Sequence, residues 1–184
     1  DAMDADNYEV NIRRQLKLAE LENKESLELA NLSGGELKLV GKGFDNKAPA
    51  AIAAKALLDT PREELAGDVY LVLSVHEETD RIGGTAVGGY AIAPDCAMVI
   101  DVNLGHMPGA KKSESVSMGK GPSITRGVTV DRKLTAMTEA LCKEQEIPYQ
   151  VYLAPTSTGT NTTALHLVGA GIPVVDIGLP LTAM

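Results

Sequence analysis

The tripeptide His76-Glu77-Glu78 closes an apolar run, Val69-Tyr70-Leu71-Val72-Leu73-Ser74-Val75. Two adjacent carboxylates at the mouth of a buried strand repel each other, and desolvation raises both pKa values. A cation normally offsets that cost, and a divalent metal is the strongest local candidate. Asp45 and Asp101 are read at comparable strand-to-loop positions. Ligands of open α/β sheets sit beyond the carboxyl ends of the strands, so Asp45, Glu77, Glu78 and Asp101 are expected on one rim. Two divalent ions would turn that repelling cluster into a ligand set, with one carboxylate bridging, one on each metal and one left as proton acceptor. Metals ~3.5–4 Å apart activate a shared water and polarise a carbonyl. The pattern points to a two-metal hydrolase. A plainer reading stands beside it: an isolated Glu-Glu pair is usually a solvated loop edge, and an acid at a strand end is often a helix cap or ion-pair partner.

Other motifs carry less. Strand alternation points His76 away from Glu77, His166 falls in a helix and His106 in a loop, so each reads as structural or exposed. Gly119-Lys120-Gly121-Pro122-Ser123 lacks the full spacing of a phosphate loop. The glycines from Gly83 to Gly89 lack the strand-then-turn context of a dinucleotide site, and Ser157 and Thr158 have no visible His-Asp partners.

The elements that must carry these acids follow from periodicity. Strands are expected at Leu37–Val40, Val69–Val75, Cys96–Val102, Tyr149–Leu153 and Pro173–Ile177, with Val69–Val75 covered on both faces. Asp45 falls in a turn-rich loop, Gly41–Lys47, and Asp101 lies in the third strand. Helices are expected at Ala50–Leu58, Thr85–Ile92, Asp131–Glu146 and Thr162–Gly169. Asp131 is the N-cap of the long one, whose Leu134, Met137, Leu141 and Cys142 share a face. Gly105–Gly121 reads as loop, and residues 1–36 favour a helix over about Ile12–Leu32. The alternation implies an α/β fold: three layers, αβα, with a mainly parallel central sheet.

Composition bounds the rest. A chain of 184 residues that is 44% hydrophobic can bury a substantial core as one globular domain. With 3% aromatics and no Trp, that core must be aliphatic. A net charge of −8 argues against nucleic acid or an anionic membrane as the main partner. No apolar stretch is long enough to span a bilayer. Cys96 and Cys142 read as buried free thiols, which fits a reducing cytoplasm. The chain starts at Asp1 and stops at Met184 after an apolar run, and so reads as a fragment.

The ordered set of motifs is more specific than any member. Val40-Gly41-Lys42-Gly43-Phe44-Asp45-Asn46-Lys47 resembles the bridging-aspartate segment of the tetrahedral, glutamyl and deblocking aminopeptidases, peptidase family forty-two of metallopeptidase clan MH, some of whose members carry endoglucanase labels. Ser74-Val75-His76-Glu77-Glu78 resembles that family's base-plus-ligand pair, and Pro94-Asp95 through Val99-Ile100-Asp101-Val102 its third acidic segment. Gly119–Pro122, Gly159-Thr160-Asn161-Thr162, Ala170–Pro173 and Gly178-Leu179-Pro180 continue the match in order over residues 37–184.

The resemblance implies a zinc-exopeptidase-like catalytic domain at 37–184, truncated at both ends, with residues 1–36 as the returning end of an accessory, oligomer-building domain. Asp45 would bridge two zinc or cobalt ions across a cis Asp45-Asn46 peptide, Glu78 would ligate one metal and Asp101 the other. Glu77 would be the general base. The implied activity is cytoplasmic removal of N-terminal residues from short peptides, by a homo-oligomer whose common family form is a twelve-subunit shell. The chain departs from the family in three places: it has no upstream His-x-Asp, it stops short of the second ligand histidine, and Asn161 stands where many relatives carry Asp. A deacylase or amidohydrolase of the same clan, and an inactive copy kept as a binding or assembly module, are the competing readings.

Overall fold

A computed structural model describes residues 40–78 and 83–182. The described residues fall into two compact units divided between Leu71 and Val72. The helix expected over Ile12–Leu32 and most of the strand at Leu37–Val40 lie outside the described residues.

In the first unit a helix, α1, spans Phe44–Asp59. Its opening is irregular: Gly43 has φ 71°, and Asp45 and Asn46 have non-helical backbone angles. Regular helix therefore begins only after Asn46, which leaves buried Pro49 in its first turn, where a missing N–H costs nothing. Thr60 ends the helix by donating its N–H to the Ala56 carbonyl at 3.2 Å, and Pro61 follows. The loop expected at Gly41–Lys47 is thus partly the start of α1, and Asp45 stands inside it.

The second unit is built on one mixed sheet. Its strands are β1 (Ala97–Leu104), β2 (Ser123–Gly127), β3 (Gln150–Ala154) and β4 (Val174–Leu181), in the spatial order β1-β4-β2-β3. β1 runs parallel to β4 and β2 parallel to β3, while β2 and β4 are antiparallel. The helices α2 (Gly83–Ile92), α3 (Arg132–Glu144) and the single turn α4 (Thr162–Leu165) flank it, so the α/β class and the mainly parallel sheet hold. Val99, Leu165, Ile172 and Val174 form the aliphatic core. α2 reaches that core because Gly89 has no side chain: a Cβ there would lie 2.8 Å from Leu165 Cδ2 and 3.2 Å from Ile172 Cδ1. No helix among the described residues is long and apolar enough to cross a membrane.

Several expectations need correction. Val69–Val75 is not a strand of the sheet, and Val69, Tyr70, Val72, Leu73 and Val75 are all exposed. β-branched residues favour extended backbone, but among the described residues the ladder of β1 is formed with β4. β1 continues to Leu104, so Asp101 lies mid-strand rather than at a strand end. β2 had no counterpart in the sequence reading, because Gly121-Pro122 and Gly127 frame its five residues as loop. On α3 the face turned inward carries buried Thr135 and Glu139, while Met137 and Leu141 are more than half exposed. The helix expected to run to Gly169 ends at Leu165. Both cysteines are free thiols, but Cys96 is exposed and precedes β1 rather than lying within it.

Candidate active site

The Glu77-Glu78 pair sits on a turn that follows an extended segment, with Glu77 half-buried and Glu78 exposed. His76 precedes it at φ 64°, a left-handed conformation rare for a residue with a Cβ. His76 is therefore part of a backbone reversal, not the alternating strand position expected of it. The N-terminus of α2 packs against this reversal: the Gly84 N–H donates to the Val75 carbonyl at 3.1 Å. A Cβ on Gly84 would lie 2.9 Å from the Val75 nitrogen, so the backbones can approach this closely only with glycine.

A second brace comes from the loop before α4. Asn161 Nδ2 donates to Ser74 Oγ at 3.1 Å, and Asn161 Oδ1 accepts from Thr85 Oγ1 on α2. The residues on either side of Asn161 are anchored in turn. Thr160 Oγ1 and Thr162 Oγ1 donate to Asp176 Oδ1 at 2.9 and 3.0 Å, and Thr125 Oγ1 on β2 donates to Asp176 Oδ2. Asp176 is 3% exposed. Burial pushes its pKa up, opposed by the hydrogen bonds from Thr125, Thr160 and Thr162. Thr160, Asn161 and Thr162 stood in a motif of the family resemblance, and Ser74 in another, but neither their bonds to one another nor Thr85, Thr125 and Asp176 were picked out from the sequence. The available signals were one acid inside the apolar stretch Val174-Val175-Asp176-Ile177 and a hydroxyl-rich loop, Thr156 to Thr163.

Asp101 is buried within β1, opposite Gly178 of β4, and accepts the Val102 N–H at 2.8 Å. Asp45 belongs to the other unit, is exposed, and precedes a cis peptide bond to Asn46, as the resemblance implies. His106 Nδ1 lies 3.2 Å from Ser115 Oγ and His166 Nδ1 3.2 Å from the Thr162 carbonyl, so both rings have local partners. The carboxylates Asp45, Glu78 and Asp101 are donors of the type zinc accepts. Among the described residues no three His, Cys, Asp or Glu side chains form a group that could hold a metal ion.

Comparison with known proteins gives this arrangement its context. Residues 28–184 match the family model described as M42 glutamyl aminopeptidase. A lysyl aminopeptidase of Pyrococcus furiosus is 30% identical over 135 residues, covering 72% of this chain and 39% of that protein. The structure of aminopeptidase APDkam598 from the archaeon Desulfurococcus kamchatkensis superposes with a TM-score of 0.68 at 29% identity, covering 76% of this chain and 40% of that one. The Pyrococcus horikoshii TET1 peptidase, which can assemble into a tetrahedron or a large octahedral shell, shares the fold with a TM-score of 0.60 at 21% identity, over 75% of this chain and 40% of its own. The chain spans about two-fifths of the length of these relatives. With the family model covering most of its residues, and its acidic motifs in the family's order, this chain belongs to the M42 glutamyl aminopeptidase family.

Proposed function

We propose that this chain carries the base and part of the metal-ligand set of a metal-dependent aminopeptidase acting on short peptides. The observation that carries the reading is the Glu77-Glu78 turn, which follows a segment bonded at Ser74 by Asn161 and at Val75 by Gly84, in a chain of the glutamyl aminopeptidase family. Asp45, Glu78 and Asp101 would hold two divalent ions, zinc or cobalt, with Asp45 as the bridge and the remaining donors supplied from elsewhere in the protein. When bound, such ions polarise the scissile carbonyl and lower the pKa of a water. Glu77 would accept a proton from the attacking water as the water oxygen bonds to the peptide carbon, and would return that proton to the amine as the carbon–nitrogen bond breaks.

The free thiols of Cys96 and Cys142 fit a reducing compartment such as the cytoplasm. The assembly of the TET1 relative supports a homo-oligomer, to be checked by light scattering of the full-length protein.

The test is metal analysis of full-length protein together with a panel of aminoacyl-anilides and N-acylated analogues. The expected result is about two equivalents of metal per chain and turnover only of substrates with a free amine. In Glu77→Gln metal should stay bound while turnover falls by a factor on the order of 10²–10⁴. Normal turnover in that variant would remove Glu77 from the role, and preference for the acylated analogues would make the protein a deacylase.

A further inference from the structure

We propose that Asn161 is a positioning residue for Glu77, acting through Ser74; the inference rests on the reading of Glu77 as the proton acceptor. Ser74 lies three residues before Glu77, and the chain between them includes the left-handed His76. A non-glycine residue is held in that conformation only where its surroundings over-determine it. The constraints converge on residues 74–76. Asn161 bonds Ser74, Gly84 bonds the Val75 carbonyl, and Gly83 lies so close that a Cβ on it would fall 3.0 Å from His76 Cβ.

Asn161 ties these constraints to the sheet. Its neighbours Thr160 and Thr162 are fixed to Asp176 on β4, so its own backbone is tied to an inner strand of the sheet. Its amide then bridges two chain segments far away in sequence, Ser74 and Thr85. An amide has both a donor and an acceptor, and hydroxyls act as either, so each orientation of the group satisfies both partners. The relay runs from Asp176 through the 160–162 loop to Asn161, then to Ser74 and α2, which together set the direction of Glu77. A general base must lie within hydrogen-bond reach of the proton it takes, and misplacement by 1 Å costs on the order of 10²-fold in rate. Loosening the bridge should therefore slow proton transfer while leaving substrate binding in place.

The experiment measures kcat and KM on an aminoacyl-anilide for the metal-loaded full-length protein and its E77Q, N161A, N161D, S74A and N161A/S74A variants. Hydrogen exchange of the peptide covering Ser74–Glu78 is followed in each. N161A and S74A should each lower kcat on the order of 10- to 100-fold with KM little changed, and should speed exchange of that peptide. The double variant should be no slower than N161A, because both changes break one bridge. N161D should recover most of the rate, since its two carboxylate oxygens accept from both hydroxyls. Should N161A fail to fold, S74A and N161D decide the matter. If E77Q turns over normally, the base assignment itself falls. If E77Q is inactive while N161A and S74A keep wild-type kcat, or their losses multiply in the double variant, the positioning role alone is overturned.

Discussion

Glu139 on α3 and Asp176 on β4 are buried acids, 5% and 3% exposed, but they are held in opposite ways. Glu139 faces a cation. Arg126 Nε and Nη2 donate to its two carboxylate oxygens at 2.7 and 2.6 Å, and the Arg126 side chain is itself 56% exposed. That forked hydrogen bond holds the Glu139 carboxyl below its ordinary range. Among the described residues Asp176 has no cation in its hydrogen-bonding shell. Three threonine hydroxyls serve it, and burial outweighs them and pushes its pKa up. The difference teaches what each carboxylate does. The first joins a helix to a sheet strand at the edge of solvent, where an exchange of charge suffices. The second gathers β2, β4 and the 160–162 loop around one point, and that loop carries the amide that braces the Glu77 turn.

The largest effect should come from breaking the cradle. Asp176→Ala leaves three buried hydroxyls without their acceptor and opens a void, and should cost about 3 kcal/mol in urea denaturation. A loss near zero would mean that the hydroxyls find other partners and that the cradle organises nothing. Removing one donor is milder: Thr162→Val should cost about 1 kcal/mol, and Thr160→Val a similar amount. Arg126→Ala should have a smaller effect than Asp176→Ala, because water reaches the exposed arm of the pair. That loss should shrink as pH falls below about 4.5 and vanish only below the depressed native value, where Glu139 is protonated in the folded chain as well.

The subtlest test is the sign of the pH dependence. Glu139 has a depressed native pKa, so its contribution is present above about pH 4.5 and fades as pH falls through the native value. Asp176 has a raised native pKa, so its contribution is complete below about pH 3.8 and is lost as pH rises through the native value. Asp176→Asn should therefore remove the loss on the alkaline side, and Glu139→Gln the loss on the acid side, in stability curves measured from pH 3 to 8. Equal slopes in the two variants would mean that the two acids are not held differently.

Much of this molecule could be read locally. Asp131 followed by periodic Leu134, Met137 and Leu141 marks the start of α3, and its side chain does accept the Leu134 N–H at 2.8 Å. The apolar runs around Val99 and Val174 became the paired strands β1 and β4. The run at Val69–Val75 shows the limit: a similar composition is not among the four strands of the sheet in the described residues, and composition describes only one of the two segments a strand pairing needs. Among the candidate site residues, Glu77, Glu78, Asp45 and Asp101 stood out because charged groups at motif positions are visible one at a time. Asn161 stood out only as a departure from the family, and its bonds to Ser74 and Thr85 did not show, since neutral polar residues look alike until their partners are known.

By itself, then, the order of residues determined the family, the alternation of helix and strand, the acidic composition and the identity of the candidate base. Tertiary structure alone decided which strands pair, which face of α3 is buried, and which hydroxyls meet Asp176. The physical reason is sequence separation. Periodicity reports what a residue's near neighbours do, whereas the bonds from Asn161 to Thr85 and Ser74 span 76 and 87 residues, and that from Thr125 to Asp176 spans 51. Contacts of that range exist only once packing around Val99, Leu165, Ile172 and Val174 has brought the segments together.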